Sequence, residues 1–189
     1  MLVIGDSQPL VTKDGYVLSA RRLTRADAAA LQRFGKELDA ESRRKFTPHR
    51  YDDAALEILM SRSEKGIDYT VAGFDGEKLA TYFFLWNFTE PVPGLGIGMR
   101  NEYQHRGLGR PMMEHLIEAA RENGCDGVEL TTMLDNHNAF ALYEKCGFRY
   151  FGNVENVSGD GKVTVERGMF LALKPGAKRT GIRIHPPVV

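Results

Sequence analysis

Cysteine is scarce in this chain. Cys125 and Cys146 are the two among 189 residues. They form no C-x-x-C pair, and nothing in their placement suggests a disulfide scaffold. No apolar run approaches the length needed to cross a bilayer. The opening "MLVIGDSQPL" offers four apolar residues before Gly5 and Asp6, too few for a signal-peptide core. Neither sign of charge is in excess: Lys plus Arg and Asp plus Glu stand at 25 each, so no global pull toward nucleic acid or membrane is expected. The five histidines (His49, His105, His115, His137 and His185) share no metal-ligand spacing, and no metal is expected. Internal repeats and low-complexity tracts are missing too. What remains is an ordinary globular composition, 42% hydrophobic and 26% charged, long enough for one domain with a sizeable core. A reduced, cytoplasmic protein is the expectation.

The chain alternates between two periods. "YVLSARRL" (Tyr16 to Leu23) alternates like a strand, and Thr24 with Asp27 matches a capping box ahead of Ala28, Leu31, Phe34 and Leu38 at helical spacing. "DAESRRKFTPHRY" has no clean period and reads as a loop or irregular turn. Asp52 starts a second helix through Ala55, Leu56, Leu59 and Met60. "YTVAGF" and "KLATYFFLWNF" are strands joined by Asp75-Gly76-Glu77, a hairpin signal. "EPVPG" breaks the chain before a short, glycine-dotted strand, "LGIGMR". A helix follows with Met112, Met113, Leu116, Ile117 and Ala120 on one stripe. Then come a strand ("GVELTTML"), a helix ("NAFALYEKC") and a final pair of strands, "FRYFGNV" and "KVTVERGMFLAL". The predicted order is β-α-α-β-β-β-α-β-α-β-β, an α/β fold with a mixed, mostly antiparallel central sheet flanked by helices. We set residues 1–15 apart as an N-terminal extension, 16–175 as the domain and 176–189 as a basic tail, which the sequence leaves open between a disordered segment and one whose "GIRI" pairs with a partner's edge in a homodimer.

The segment Gln104-His105-Arg106-Gly107-Leu108-Gly109-Arg110 lies between a strand and a helix. A short glycine-containing loop there gathers main-chain N–H groups at a helix N-terminus, a setting that favours a phosphate or another anion. His105, Arg106 and Arg110 add positive charge nearby. Known nucleotide motifs fit poorly. Arg110-Pro111 follows Gly109 where a Walker A loop has Lys-Ser or Lys-Thr, and Met112 stands where the dinucleotide fingerprint has a third glycine. A protein kinase is excluded by length and by the missing catalytic-loop signature. On its own the loop is equally well read as a plain structural turn.

Downstream residues add to it. Gln104-x-x-Gly107-x-Gly109 and, later, "NHNAFALYEKCGF" (Asn136 to Phe148) together resemble the GCN5-related N-acetyltransferase (GNAT) family. Its acyl-CoA loop reads Gln/Arg-x-x-Gly-x-Gly/Ala, and its later signature has Asn136, Ala139, Leu142, Tyr143, Gly147 and Phe148 in register. The likeness runs from about Tyr16 to Leu173. It implies a GNAT fold and an acetyl-CoA-dependent N-acetyltransferase acting on a primary amine (a protein lysine, a protein N-terminus or a small molecule) by direct attack in a ternary complex. It also implies roles. The strand at Ile97, Gly98 and Met99 would pair its main chain with the pantetheine arm. The N–H groups from His105 through Arg106, Gly107, Leu108 and Gly109 to Arg110 would hold the pyrophosphate, with Gln104 opening the motif. Asn136 would contact the cofactor, and Tyr143 would lie near its sulfur as the acid for the leaving thiolate.

The resemblance departs at the general base. "LGIGMR" has no carboxylate, and Thr131 stands five before Asn136, where some members that acetylate protein N-termini have glutamate. Glu129, Glu90, Glu102, His137 and ordered water are the alternatives, and a non-catalytic acyl-CoA-binding module is the second reading. Pro111 also departs from the usual small or aliphatic residue and is expected to alter the first helical turn by biasing Arg110 away from helical angles. The acceptor should lie between the first two helices, their joining loop and the strands carrying Trp86 and Phe88. There "AESRRKF" (Ala40 to Phe46) loosely resembles a segment of members that acetylate protein lysines, with Lys45 in place of arginine.

Overall fold

The computed structural model describes residues 8–179. Its strands are β1 (Gln8–Val11), β2 (Val17–Arg22), β3 (Tyr69–Asp75), β4 (Lys78–Trp86), β5 (Gly94–Met99), β6 (Gly127–Met133), β7 (Arg149–Val157) and β8 (Val163–Ala172). The helices are α1 (Ala28–Glu37), α2 (Ala40–Lys45), α3 (Asp53–Glu64), α4 (Gly109–Glu122) and α5 (His137–Lys145). One sheet runs β1-β2-β3-β4-β5-β6-β8-β7. Every neighbouring pair is antiparallel except β5 and β6.

The central strand β4 is apolar along its length because it is covered on both faces. Phe83 and Leu85 join the core beneath α4 and α5, where Leu116, Met112 and Phe148 are fully buried. Tyr82, Phe84 and Trp86 point the other way and pack with Leu31, Phe34 and Leu59 of α1 and α3. The two helix layers thus belong to opposite faces of the sheet.

Two elements differ from the sequence reading. Helix α2 occupies part of the stretch read as a loop. It buries no residue, so it has no apolar period to detect. Its support is local: Asp39 caps it by accepting from the Ser42 N–H at 2.7 Å, and Glu41 pairs with Arg44 and Lys45 one turn on. Strand β1 pairs with β2 from Gln8 opposite Ala20 to Val11 opposite Val17, which adds a strand before the one at Tyr16. The "GIRI" segment of the tail lies outside the described residues.

Candidate active site

The sheet opens between β5 and β6. Asp126 and Glu129 donate their N–H groups to the carbonyls of Pro91 and Pro93, at 2.7 and 3.1 Å. The parallel ladder then holds one partnered residue, Gly94 opposite Glu129, and ends. Beyond it the β5 edge has no strand partner among the described residues. Arg100 N–H donates to the Ala80 carbonyl of β4 at 2.9 Å. By the period of two, Gly98 and Gly96 also face β4, and the main-chain groups of Leu95, Ile97 and Met99 point into the gap.

Gln104 to Arg110 lie at the end of that edge. His105 and Gly107 both take positive φ, +60° and +86°. Such alternation turns successive N–H groups to one side, as in an anion-binding nest. The six N–H groups from His105 to Arg110 make no hydrogen bond to any described residue. A Cβ at Gly107 would sit 2.6 Å from Lys13 Cγ, so the stem of Lys13 lies along this turn. The β1–β2 turn anchors the loop. Lys13 N–H donates to the Arg106 carbonyl at 2.8 Å, and Arg106 pairs with Asp14 at 2.7 Å. That pairing, with the one between Arg110 and Glu114 at 2.7 Å, neutralises two of the three charges expected to serve the loop. Lys13 makes no ion pair among the described residues, and no motif in the sequence pointed to it. Gln104 turns away to donate from Nε2 to Ser42 Oγ of α2, at 2.9 Å.

Leu108, fully buried, stands just before α4, and Pro111 falls in the first turn. No hydrogen bond is lost there, since the N–H of that position has no helical acceptor. The expected bias on Arg110 is not realised: Arg110 is helical.

Asn136 caps α5, its Oδ1 accepting from the Ala139 N–H at 3.4 Å. Tyr143 is buried at 6% exposure and packs against Phe148, with ring centroids 6.2 Å apart. Its hydroxyl makes no hydrogen bond to a described residue. Burial pushes its pKa well up, and the charge of Glu166 adds to the rise. Burial likewise raises the Cys146 thiol, which disfavours a nucleophilic thiolate.

A cleft of about 450 Å³ opens on the α1–α3 face of the same gap. Leu95, Gly96, Thr131 and Met133 form its floor where β5 and β6 part, and Phe46, Phe84 and Trp86 form an aromatic wall. Phe88 does not line it, because it packs on Tyr69 in the core of the opposite face. The far wall is one the sequence did not suggest, the β7–β8 hairpin with Asn156, Asp160, Lys162, Thr164 and Glu166. The hairpin turn reaches the loop after α2. Gly159 N–H donates to the Thr47 carbonyl at 2.7 Å, and a Cβ on Gly159 would lie 2.3 Å from the His49 backbone. Even an alanine has no room there.

Among the base candidates, Glu102 pairs with Lys78 on the surface, and His137 is exposed at the start of α5. Glu129 is buried on the cleft face and lies 3.4 Å from Arg179 Nε. Thr131 accepts from Asn156 Nδ2 at 3.3 Å. Among the described residues no three His, Cys, Asp or Glu side chains gather where they could hold a metal ion. No helix among them is long and apolar enough to cross a membrane.

Residues 32–148 match the Acetyltransferase (GNAT) family. The uncharacterized N-acetyltransferase YvbK of Bacillus subtilis is 31% identical over 98 residues, 51% of this chain and 62% of that protein. The [ribosomal protein bS18]-alanine N-acetyltransferase of Escherichia coli is 40% identical over 71 residues, 38% of this chain and 48% of its own length. The alignments thus span about half to three-fifths of these curated relatives. The structure of yncA from Salmonella typhimurium with its cofactor acetyl-CoA superimposes with a TM-score of 0.66 at 18% identity, covering 87% of this chain and 99% of that one. At that identity it speaks for the fold.

Proposed function

The chain belongs to the GNAT acetyltransferase family, and from that premise we propose that it transfers an acetyl group from acetyl-CoA to a primary amine by direct attack in a ternary complex. One observation carries this reading. The β5 edge, open among the described residues, leads from the gap onto which the cleft opens to the row of free N–H groups at the start of α4.

The residues present fit acetyl-CoA as a substrate. The main chain of Ile97 and Met99 would pair with the pantetheine arm, with Gly98 between them bonded to β4. The N–H groups of His105, Arg106, Gly107, Leu108, Gly109 and Arg110 would hold the pyrophosphate, with Lys13 as the cation beside them. Gln104 braces the loop against α2, and Asn136 borders the site while capping α5. The thioester supplies an activated acetyl group. Tyr143, buried and with a free hydroxyl, donates its proton to the departing sulfur, and its raised pKa keeps it protonated until that moment. An N–H on the β5 edge aimed at the carbonyl oxygen would stabilise its developing charge. The setting is the cytoplasm, where acetyl-CoA is available.

A thermal-shift titration with acetyl-CoA, with NADH and ATP as controls, tests the reading. A ligand at 100 times its dissociation constant stabilises by about 2.7 kcal/mol, a midpoint rise of roughly 5–10 °C for a domain of this size. We expect that rise with acetyl-CoA alone. Its absence would return the Gln104–Arg110 turn to a purely structural role. Binding without acetylation of any amine would favour the acyl-CoA-binding module.

A further inference from the structure

We propose that Glu166 binds the acceptor's ammonium group and takes its proton, and that the cleft selects an amine with one positive charge on an apolar body. This rests on the acetyltransferase reading above. Strand β8 is inverted relative to an ordinary half-buried strand. Val163 and Val165 face solvent at 63% and 51% exposure, and Glu166 is buried at 8%. The inner face of this stretch is the cleft and not the core, which explains the inversion. Register places Glu166 opposite Met133 of β6 and Val154 of β7, on the wall facing the β5–β6 gap.

The other charged groups around the cleft are already engaged. From α2, Arg44 pairs with Glu41 and Asp135, Lys45 pairs with Glu41, and Arg43 donates to the carbonyls of Lys36 and Leu38. In the hairpin turn, Lys162 pairs with Asp160. Among the described residues Glu166 has no cation, and its one hydrogen bond comes from the Thr164 hydroxyl at 3.0 Å. A buried carboxylate with one neutral donor is costly, and an ammonium would offset that cost. Asn156, whose Nδ2 donates to Thr131, leaves its buried Oδ1 without a described donor in the same wall, a second acceptor for the N–H groups of the ammonium. Tyr143, from α5, is near enough to feel the charge of Glu166. Carboxylate chemistry missing from Thr131 on β6 is thus supplied one strand over.

The step balances. Glu166 takes one proton from the ammonium and releases it to solvent. The freed nitrogen lone pair bonds to the thioester carbonyl carbon, and the carbon–sulfur bond breaks. The sulfur keeps that bonding pair and takes the Tyr143 proton. The second proton leaving nitrogen restores the tyrosine.

The test uses the full chain, its Glu166→Gln variant, acetyl-CoA and four probes: 2-phenylethylamine, spermidine, an alanine-initiated peptide and a peptide with one internal lysine. The side-chain amide of the variant can still accept from Thr164, so the melting midpoint and the acetyl-CoA shift should stay close to wild type. The variant's kcat/KM for the best probe should fall by about 100-fold near neutral pH. The deficit should shrink as pH approaches the pKa of the amine, where solvent does the deprotonation. Glu166→Asp should recover part of the rate. A variant with wild-type rate and pH profile, or one that only melts earlier, would overturn the role of Glu166 and leave the acetyltransferase standing. Faster turnover of spermidine than of the single-amine probes would overturn the selection. Wild-type protein that binds no acetyl-CoA would overturn both readings, whereas protein that binds it and acetylates none of the single-amine probes would overturn the selection alone.

Discussion

At the scale of residues, the proposed acetyl-CoA side of the site is built from main-chain groups, with few side chains left to adjust it. Lys13 is one of them. Lys13→Ala should weaken acetyl-CoA binding about fivefold, more at low salt than at high, because it removes one exposed charge from the phosphates. Calorimetric titration at two ionic strengths checks this, and a loss independent of salt would point to the turn and away from the charge. Tyr143 makes the opposite case. Its hydroxyl bonds to nothing among the described residues, so Tyr143→Phe should leave the melting midpoint and acetyl-CoA affinity nearly unchanged. The same variant should lower kcat by about 100-fold. Steady-state rates beside a binding isotherm separate the two effects.

At the scale of elements, what could be read from the sequence was what repeats. The stripe of Met112, Met113, Leu116 and Ile117 marks α4, because one-sided burial imposes a period, and the unbroken apolar run of β4 marks a strand. Helix α2 has no buried residue and so leaves no period. Cleft residues were hard to find for a related reason. Thr164 and Glu166 look like the solvent side of a strand unless one notices that the alternate positions are valine. The hairpin that carries them depends on Gly159, where the chain crosses the His49 backbone with no space for a Cβ. Gly159→Ala should push the hairpin from the α2–α3 loop and cost about 1–3 kcal/mol of stability. It should raise the acceptor KM about tenfold and leave acetyl-CoA affinity intact, as paired binding and kinetic assays would show. Equal loss of both affinities would mean that the damage is global.

At the scale of the whole molecule, acid should loosen the same junction. His49 is fully buried between Tyr51, Tyr82 and Trp86, and burial lowers its pKa from the ordinary 6.5 to about 4. Between those values the unfolded chain binds a proton that the native fold refuses, so stability falls as pH drops from 6.5 toward 4. The full window is worth about 3 kcal/mol, or roughly 6–12 °C in the melting midpoint. Glu41 and Asp160, with pKa values near 2, are exposed and act below that window. His49→Phe should melt lower at pH 7 but lose less between pH 6.5 and 4.5; an unchanged slope would assign the acid sensitivity elsewhere. The parting of β5 and β6 has a different consequence. For the proposed reaction, the gap would have to connect the two faces of the sheet. Under the proposed reading, acyl donor and amine arrive at the gap from opposite sides and need no common doorway. The acetylated amine can then depart while spent CoA is still seated, so neither product has to wait for the other.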